Sequence, residues 1–248
     1  MSERTRLPGL FIVGTDTAVG KTHVASLILR ELRQAGLRVG AYKPVCSGAI
    51  TDSHGGIGWE DIDRLRAAAN LDCADDLICP QRFLAPLAPP IAARAEGRFV
   101  DEALLVTGAD LWCDRADLLI VEGAGGLLSP VTDTLTVADL ACRIGYPLIV
   151  VARCGLGTIN HSLLTLEAAR SRGLCIAGVI LNQSHLEDDL ALGEDNARAI
   201  ESRGNVAVLG LMSWESTGGL QRHGHPVTIH WQSLAEKGRD GISRGQRS

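Results

Sequence analysis

The sequence predicts an α/β protein built on a single doubly wound parallel sheet flanked by helices. Two observations carry this. Short apolar runs at Gly9–Val13, Asp117–Val121, Pro147–Ala152 and Leu174–Leu181 alternate with stretches of helical spacing; compact apolar runs of this kind fit strands buried on both faces. The first run leads into Gly14-Thr15-Asp16-Thr17-Ala18-Val19-Gly20-Lys21-Thr22, and His23–Gly36 then carries apolar residues at Val24, Leu27, Ile28 and Leu32. Strand, glycine loop, Gly-Lys-Thr and helix form a phosphate-binding loop. Its backbone N–H groups and the helix N-terminus offer partial positive charge to an anion. Lys21 suits β- and γ-phosphate oxygens, and the Thr22 hydroxyl suits a Mg²⁺ that bridges them. Five residues separate Gly14 from Gly20, one more than the general motif has.

The remaining elements follow in order. Leu37–Tyr42 reads as a second strand, with Lys43 to Gly48 at its carboxyl end, where ligands gather in open parallel sheets. Lys43 and Ser47 read there as ligand groups or as a surface lysine and a turn serine. Residues 51–58 read as a flexible loop, and a helix opens at Trp59-Glu60-Asp61-Ile62-Asp63. Its acidic first turn fits the helix dipole or a Mg²⁺ shell equally well. Asp76–Cys79 reads as a short strand. Ala85–Pro90 is too rich in proline for a central strand or a helix interior, so it is expected to cross the top of the sheet. Val100–Trp112 has helical spacing. Asp117–Val121 ends in Glu122-Gly123-Ala124-Gly125-Gly126; a glutamate is almost never buried without a partner, which marks Glu122 as a metal ligand or water-positioning group. Helices are predicted at Val137–Ile144, from about Thr158 to Arg172, and at Asp188–Arg203. Leu174–Leu181, ending at Asn182, and Val206–Leu211 are the last strands.

Composition narrows the class. Hydrophobic residues make up 46% of the 248, and aromatics only 4%, so the core must be aliphatic. The net charge of −5 gives no support to nucleic-acid binding. Seven cysteines without a Cys-x-x-Cys pair suggest reduced, structural thiols and a cytoplasmic protein. No apolar run fits a signal peptide or a membrane span. The body is expected over 1–212. The segment 213–248, rich in Gly, Ser, Arg and His with only Val227–Trp231 strand-like, reads as a loosely packed, partly flexible appendage.

Four stretches together resemble dethiobiotin synthetase: Gly14–Thr22, Tyr42–Gly48, Val121–Gly126 and Gly157-Thr158-Ile159-Asn160-His161, with Pro89–Ala93 a weaker match. The resemblance covers residues 9 to 212, and the five-residue loop spacing is this family's own. It implies an ATP-dependent ligase that closes the ureido ring of dethiobiotin from 7,8-diaminononanoate and CO2, with ADP and phosphate as the other products. It also implies Mg²⁺ as cofactor and a homodimer with the active site at the subunit interface. On the matching positions, Lys21 and Lys43 are the catalytic cations. Thr22, Glu122 and Asp61 bind the metal, with Asp63 the alternative to Asp61. Thr15, Asp16, Thr17, Ala18, Val19 and Gly20 wrap the phosphates. Thr17, Lys43, Ser47, Glu122 and Gly125 meet the diamine or its carbamate. The partner's Gly157–Asn160 would meet the substrate carboxylate. Asn182 and the backbone of Gly210, Leu211, Met212 and Ser213 would read adenine. Position 213 is serine where the family often has proline, and Ala18 stands where some members carry glutamate. The competing readings are an amidating ligase of the same superfamily, for which no glutaminase motif is present, a partition-type ATPase switch, for which the loop lacks a lysine before Lys21, and a nonenzymatic ATP-binding domain, which leaves Lys43, Ser47 and Glu122 unexplained.

Overall fold

The computed structural model describes residues 7–51, 55–184, 186, 190–214 and 218–236. The central sheet is built from β1 (Gly9–Gly14), β2 (Val39–Tyr42), β7 (Leu118–Gly126), β8 (Leu148–Arg153), β9 (Ile176–Asn182), β10 (Val208–Met212), β11 (Gln221–Arg222) and β12 (His225–Pro226). Its order is β12-β11-β10-β9-β8-β1-β7-β2. The pairs from β10 to β2 are all parallel, and β11 and β12 extend one edge antiparallel. Two small ribbons stand apart: β3 (Cys46–Ser47) pairs with β6 (Arg82–Phe83), and β4 (Ile50–Thr51) with β5 (Ile57–Gly58). The latter pair occupies the ends of the stretch expected to be a loop.

Among the described residues the helices around this frame include α1 (Lys21–Gln34), α2 (Glu60–Ala69), α3 (Asp75–Ile78), α4 (Pro89–Ala95), α5 (Glu102–Asp110), α6 (Val137–Ile144), α7 (Thr158–Arg170) and α8 (Leu190–Gly204). Every residue of β1 is buried, as are the first six of β7 and the first five of β8. Strands buried at successive positions are covered on both faces. The core is aliphatic, as the composition requires. Sheet order reverses at β1, which lies between β7 and β8, and in open α/β sheets ligands bind at such a switch point. The phosphate loop leaves β1 there.

The structure departs from the expectations at several places. Asp76–Cys79 is not a strand; Asp75–Ile78 is one helical turn. Its acidic first turn suits a helix N-terminus, and ion pairs from Asp75 to Arg66 and from Asp76 to Arg82 anchor it. Pro89 and Pro90 open α4, where prolines lose no helical hydrogen bond. The segment after Ser213 also packs more firmly than its composition predicts. Leu220, Trp231 and Ala235 are buried, and Trp231 Nε1 donates to Glu31 Oε2 on α1 at 2.6 Å. Arg222 joins Glu194 and Glu201 of α8. Val227–Trp231 is not a strand: residues 227–230 are irregular and helix 231–236 follows. The expected flexible end beyond Lys237 lies outside the described residues.

Trp231→Ala is expected to destabilise the protein by about 3–5 kcal/mol, as large-to-small core substitutions do. Urea unfolding measures this; a loosely attached tail would give a change below about 0.5 kcal/mol.

Candidate active site

The glycines of the phosphate loop are fixed by close approach. A Cβ on Gly14 would meet Asp16 O at 2.5 Å, and one on Gly20 would meet Asn182 Nδ2 at 2.1 Å. Gly20, at φ 93°, also needs the left-handed region. Asn182, at the end of β9, donates from Nδ2 to Val19 O at 3.1 Å and so ties the loop to the sheet. Lys21 Nζ donates to Asp16 O at 3.2 Å.

Three elements converge beside the loop. Thr22 from α1, Asp61 from the first turn of α2 and Glu122 from β7 meet Lys43, which follows β2. Lys43 Nζ lies 2.5 Å from Asp61 Oδ2 and 2.6 Å from Glu122 Oε1. Thr22 Oγ1 lies 2.8 Å from both Asp61 Oδ1 and Glu122 Oε1; with one proton it donates to one carboxylate at a time. Glu122 is 1% exposed and Lys43 4%. Burial works against the Lys43 charge, but Glu122 and Asp61 outweigh it and hold the ammonium above its ordinary pKa. Burial also lifts the Glu122 carboxyl, against the pull of Lys43. At Asp61 burial pushes upward, and the charge and hydrogen bond of Lys43, with Thr22 and Lys21, hold the group below its ordinary value. Burial lowers Lys21, partly opposed by Glu122.

This cluster has donors for a hard cation. It offers one hydroxyl and two carboxylates, and Glu122 Oε2 is buried with no hydrogen-bond partner. Mg²⁺ is commonly held by one or two carboxylates plus phosphate oxygens and water, and Thr22 sits at the start of the phosphate-facing helix. Among the described residues no cluster of three or more His, Cys, Asp or Glu suits a metal.

The cavity at this cluster has a volume of about 510 Å³, within the usual range for small-molecule sites. Of the residues singled out in the sequence, it is lined by Thr17, Ala18, Gly20, Lys21 and Thr22 of the loop, by Lys43, Ser47 and Asp61, and by Glu122, Gly125 and Asn182. Ser47 Oγ donates to Leu87 O at 2.6 Å. Val19 is buried under the loop. Thr15 and Asp16 line a neighbouring cavity of about 320 Å³ with His161 and Leu164 of α7. Gly157, Thr158, Ile159 and Asn160, at the start of α7, line neither. Leu211 and Ser213 line a third cavity of about 450 Å³ beside α8, while Gly210 and Met212 are buried in β10. Asp63, the alternative to Asp61, is absent from the lining of the main cavity. Sequence reasoning missed Arg64, His23 and Cys46, and also Gln183, Ser184 and Trp214 at the far end. Arg64 had a signal, since it stands one turn from Asp61 on the same helix. Trp214 had none, because its neighbourhood follows from the β9–β10 pairing.

A phosphate loop at the switch point of a mostly parallel sheet defines a phosphate-loop nucleotide-binding protein. The sequence matches the family described as an AAA domain over residues 8–219. It is 47% identical over 207 residues to the ATP-dependent dethiobiotin synthetase BioD of Anaeromyxobacter dehalogenans strain 2CP-C, covering 84% of this chain and 90% of that protein. To the protein of that name from Anaeromyxobacter sp. strain K it is 50% identical over 183 residues, covering 73% and 79%. The crystal structure of signal recognition particle receptor FtsY from Elizabethkingia anophelis matches with a TM-score of 0.50 at 14% identity, over 94% of this chain and 66% of that one, a likeness of fold alone. The chain belongs to the dethiobiotin synthetase family.

Among the described residues no helix is long and apolar enough to cross a membrane.

Because Asp61 is held below its ordinary value of 3.8, its ionised partnership contributes stability above about pH 4 that is lost as pH falls through the folded-state pKa. Asp61→Asn is therefore expected to flatten the acid limb of stability below about pH 4. Thermal midpoints of both proteins across that range measure it; parallel curves would contradict the pairing.

Proposed function

We propose that the protein is an ATP-dependent cyclo-ligase that forms the ureido ring of dethiobiotin from 7,8-diaminononanoate and CO2 in biotin biosynthesis. The observation that carries this is Lys43: a buried ammonium beside the phosphate loop, shared by two carboxylates, in a chain of this family. A switch ATPase needs no second buried cation there, whereas a carbamate joining a triphosphate brings two anions together.

The chemistry balances without a protein nucleophile. One substrate amine adds to CO2, giving a carbamate and releasing a proton. A carbamate oxygen attacks the γ-phosphorus, the bond to the β-γ bridging oxygen breaks, and ADP leaves. The product is a carbamic-phosphoric anhydride. The second amine attacks its carbonyl carbon, the C–O bond to phosphate breaks, and phosphate and a proton depart as the ring closes. Catalysis is then positioning and charge stabilisation. Lys21 holds the β- and γ-phosphates; its lowered pKa reflects burial that the arriving anions offset. Lys43 neutralises the carbamate and the transferring phosphoryl group. Thr17 and Ser47 hydrogen-bond the diamine, and Gly125 lets it approach the backbone. Thr15, Asp16, Ala18, Val19 and Gly20 shape the phosphate cradle, and Asn182, with the Gly210–Ser213 backbone, faces adenine. Thr22, Asp61 and Glu122 would hold Mg²⁺, which when bound supplies charge neutralisation on the phosphate oxygens.

The homodimer belongs to the same reading. Leu156, Leu164 and Leu128 are 99%, 58% and 52% exposed, and Leu128 and Leu164 border the smaller cavity next to Thr15 and Asp16. A second copy would cover these leucines and bring its Gly157–Asn160 to the substrate carboxylate. A cytoplasmic location accords with reduced thiols.

Purified protein with Mg-ATP and bicarbonate is expected to release phosphate only when the diamine is present, with dethiobiotin detected by mass spectrometry in the same tube. Phosphate release indifferent to the diamine, without cyclic urea, would instead indicate a switch ATPase. Lys43→Ala is expected to bind ATP within about threefold of wild type while turnover falls by about 10²-fold or more, the loss for a charged transition-state contact. Lys21→Ala is expected to lose both.

A further inference from the structure

The placement of Asp61 depends on a residue outside the cavity. Trp59 is the residue before α2, and its carbonyl accepts from Ile62 N at 2.9 Å and Asp63 N at 3.2 Å. Its indole Nε1 donates to Phe83 O at 3.2 Å. That same carbonyl accepts from Gly48 N at 3.1 Å. One oxygen therefore joins the cap of the Asp61-bearing helix to the strand that follows Lys43. The join is stiff on both sides. The segment after β2 is stitched to the 78–84 stretch through Lys43 N to Ile78 O at 2.7 Å, Cys46 N to Gln81 O at 2.9 Å and Ala49 N to Leu84 O at 2.9 Å. Phe83 is fully buried, and Arg98 lies 4.7 Å over its ring. The Arg82 guanidinium lies 5.4 Å over the Trp59 ring while donating to Cys79 O at 2.7 Å and Asp76 Oδ1 at 2.6 Å.

We propose that Trp59 is a positioning residue that, through the Phe83 carbonyl, sets Asp61 against Lys43 and Thr22. Within the first turn of α2, Asp61 accepts from Lys43 Nζ. Without the indole N–H, the helix start is free to shift against β6, and a carboxylate that must stay within hydrogen-bond reach of both Thr22 Oγ1 and Lys43 Nζ loses its register. Displacement of such groups by about 1 Å is costly in rate. The inference rests on the proposed metal-binding role of Asp61, but not on the ring-closing step.

The test uses the full chain as wild type, Trp59→Phe, Asp61→Asn and the double variant. Mn²⁺ is titrated into each protein with ADP, and free Mn²⁺ is read by electron paramagnetic resonance. Phenylalanine keeps an aromatic ring but loses the N–H together with part of the indole's bulk, so the comparison in the Asp61→Asn background isolates what runs through Asp61. Trp59→Phe is expected to weaken Mn²⁺ binding by about 3- to 10-fold, the range for one lost hydrogen bond, with metal-free ADP affinity unchanged. In the Asp61→Asn background the same substitution is expected to change nothing further, because its effect runs through Asp61. Trp59→Leu, which also removes the ring, is expected to fall further in the same direction. Wild-type Mn²⁺ affinity in Trp59→Phe, or an equal loss with and without Asp61, would overturn the assignment, as would a lower thermal midpoint with unchanged Mn²⁺ binding. If wild type makes no dethiobiotin, the ring-closing reading fails while these titrations still decide the role of Trp59.

Discussion

The buried ammonium of Lys43 between Glu122 and Asp61 is the constraint on which the rest of the site depends. Glu122 lies within the buried run of β7 and is almost wholly removed from water. An unpaired carboxylate there would be expensive, and breaking such a pair typically costs about 3–5 kcal/mol. Lys43 fits only because β2 pairs with β7 in register, Tyr42 opposite Val121, so that the residues that follow emerge side by side. Asp61 then compensates the second half of the ammonium from a different helix, and Thr22 bridges both carboxylates from a third element. The first residues of α1, the cap of α2 and the end of β7 are thus held to one another by polar contacts that form only when the sheet is assembled.

The same arrangement explains why a site with two lysines and two carboxylates can take several anions. In the folded protein the carboxylates and ammonium nearly satisfy each other, so the cavity holds a cluster that can be re-paired. Phosphate oxygens compete for Lys21 and Lys43, and a divalent cation suits the carboxylate oxygens this frees. The orphaned Glu122 Oε2 is the atom that such re-pairing leaves best served. Low local dielectric strengthens each of these contacts, which suits a reaction whose catalysis is charge placement.

Much of this was legible in the sequence where the signal is local. The phosphate loop is one contiguous motif, and Glu122 announces itself as a carboxylate at the end of an apolar run. On its place after a strand alone, Lys43 read more readily as a surface lysine, and it was the resemblance over Tyr42–Gly48 that singled it out. What brought Asp61 to Thr22 was not legible from spacing, since the two lie 39 residues apart and only the packing of α1 on α2 joins them. Asp76–Cys79 misled because its three apolar residues, Leu77, Ile78 and Cys79, suit a strand or a helical turn alike, and the ion pairs that decide it come from Arg66 and Arg82. The tail misled through composition: among its described residues, buried Leu220, Trp231 and Ala235, with Val227, Ile229 and Leu234 packed against the core, anchor a segment that is largely polar.

The central claim is that this cavity brings a carbamate oxygen onto the γ-phosphorus of ATP. The most direct measurement is oxygen transfer from ¹⁸O-labelled bicarbonate, with the diamine and ATP present, read by mass spectrometry of the released phosphate at early times. The account predicts phosphate carrying one labelled oxygen for each dethiobiotin formed, with label also in the ureido carbonyl. Unlabelled phosphate accompanying labelled dethiobiotin would contradict it, because the ring would then close without the anhydride that Lys43 and Lys21 are placed to stabilise.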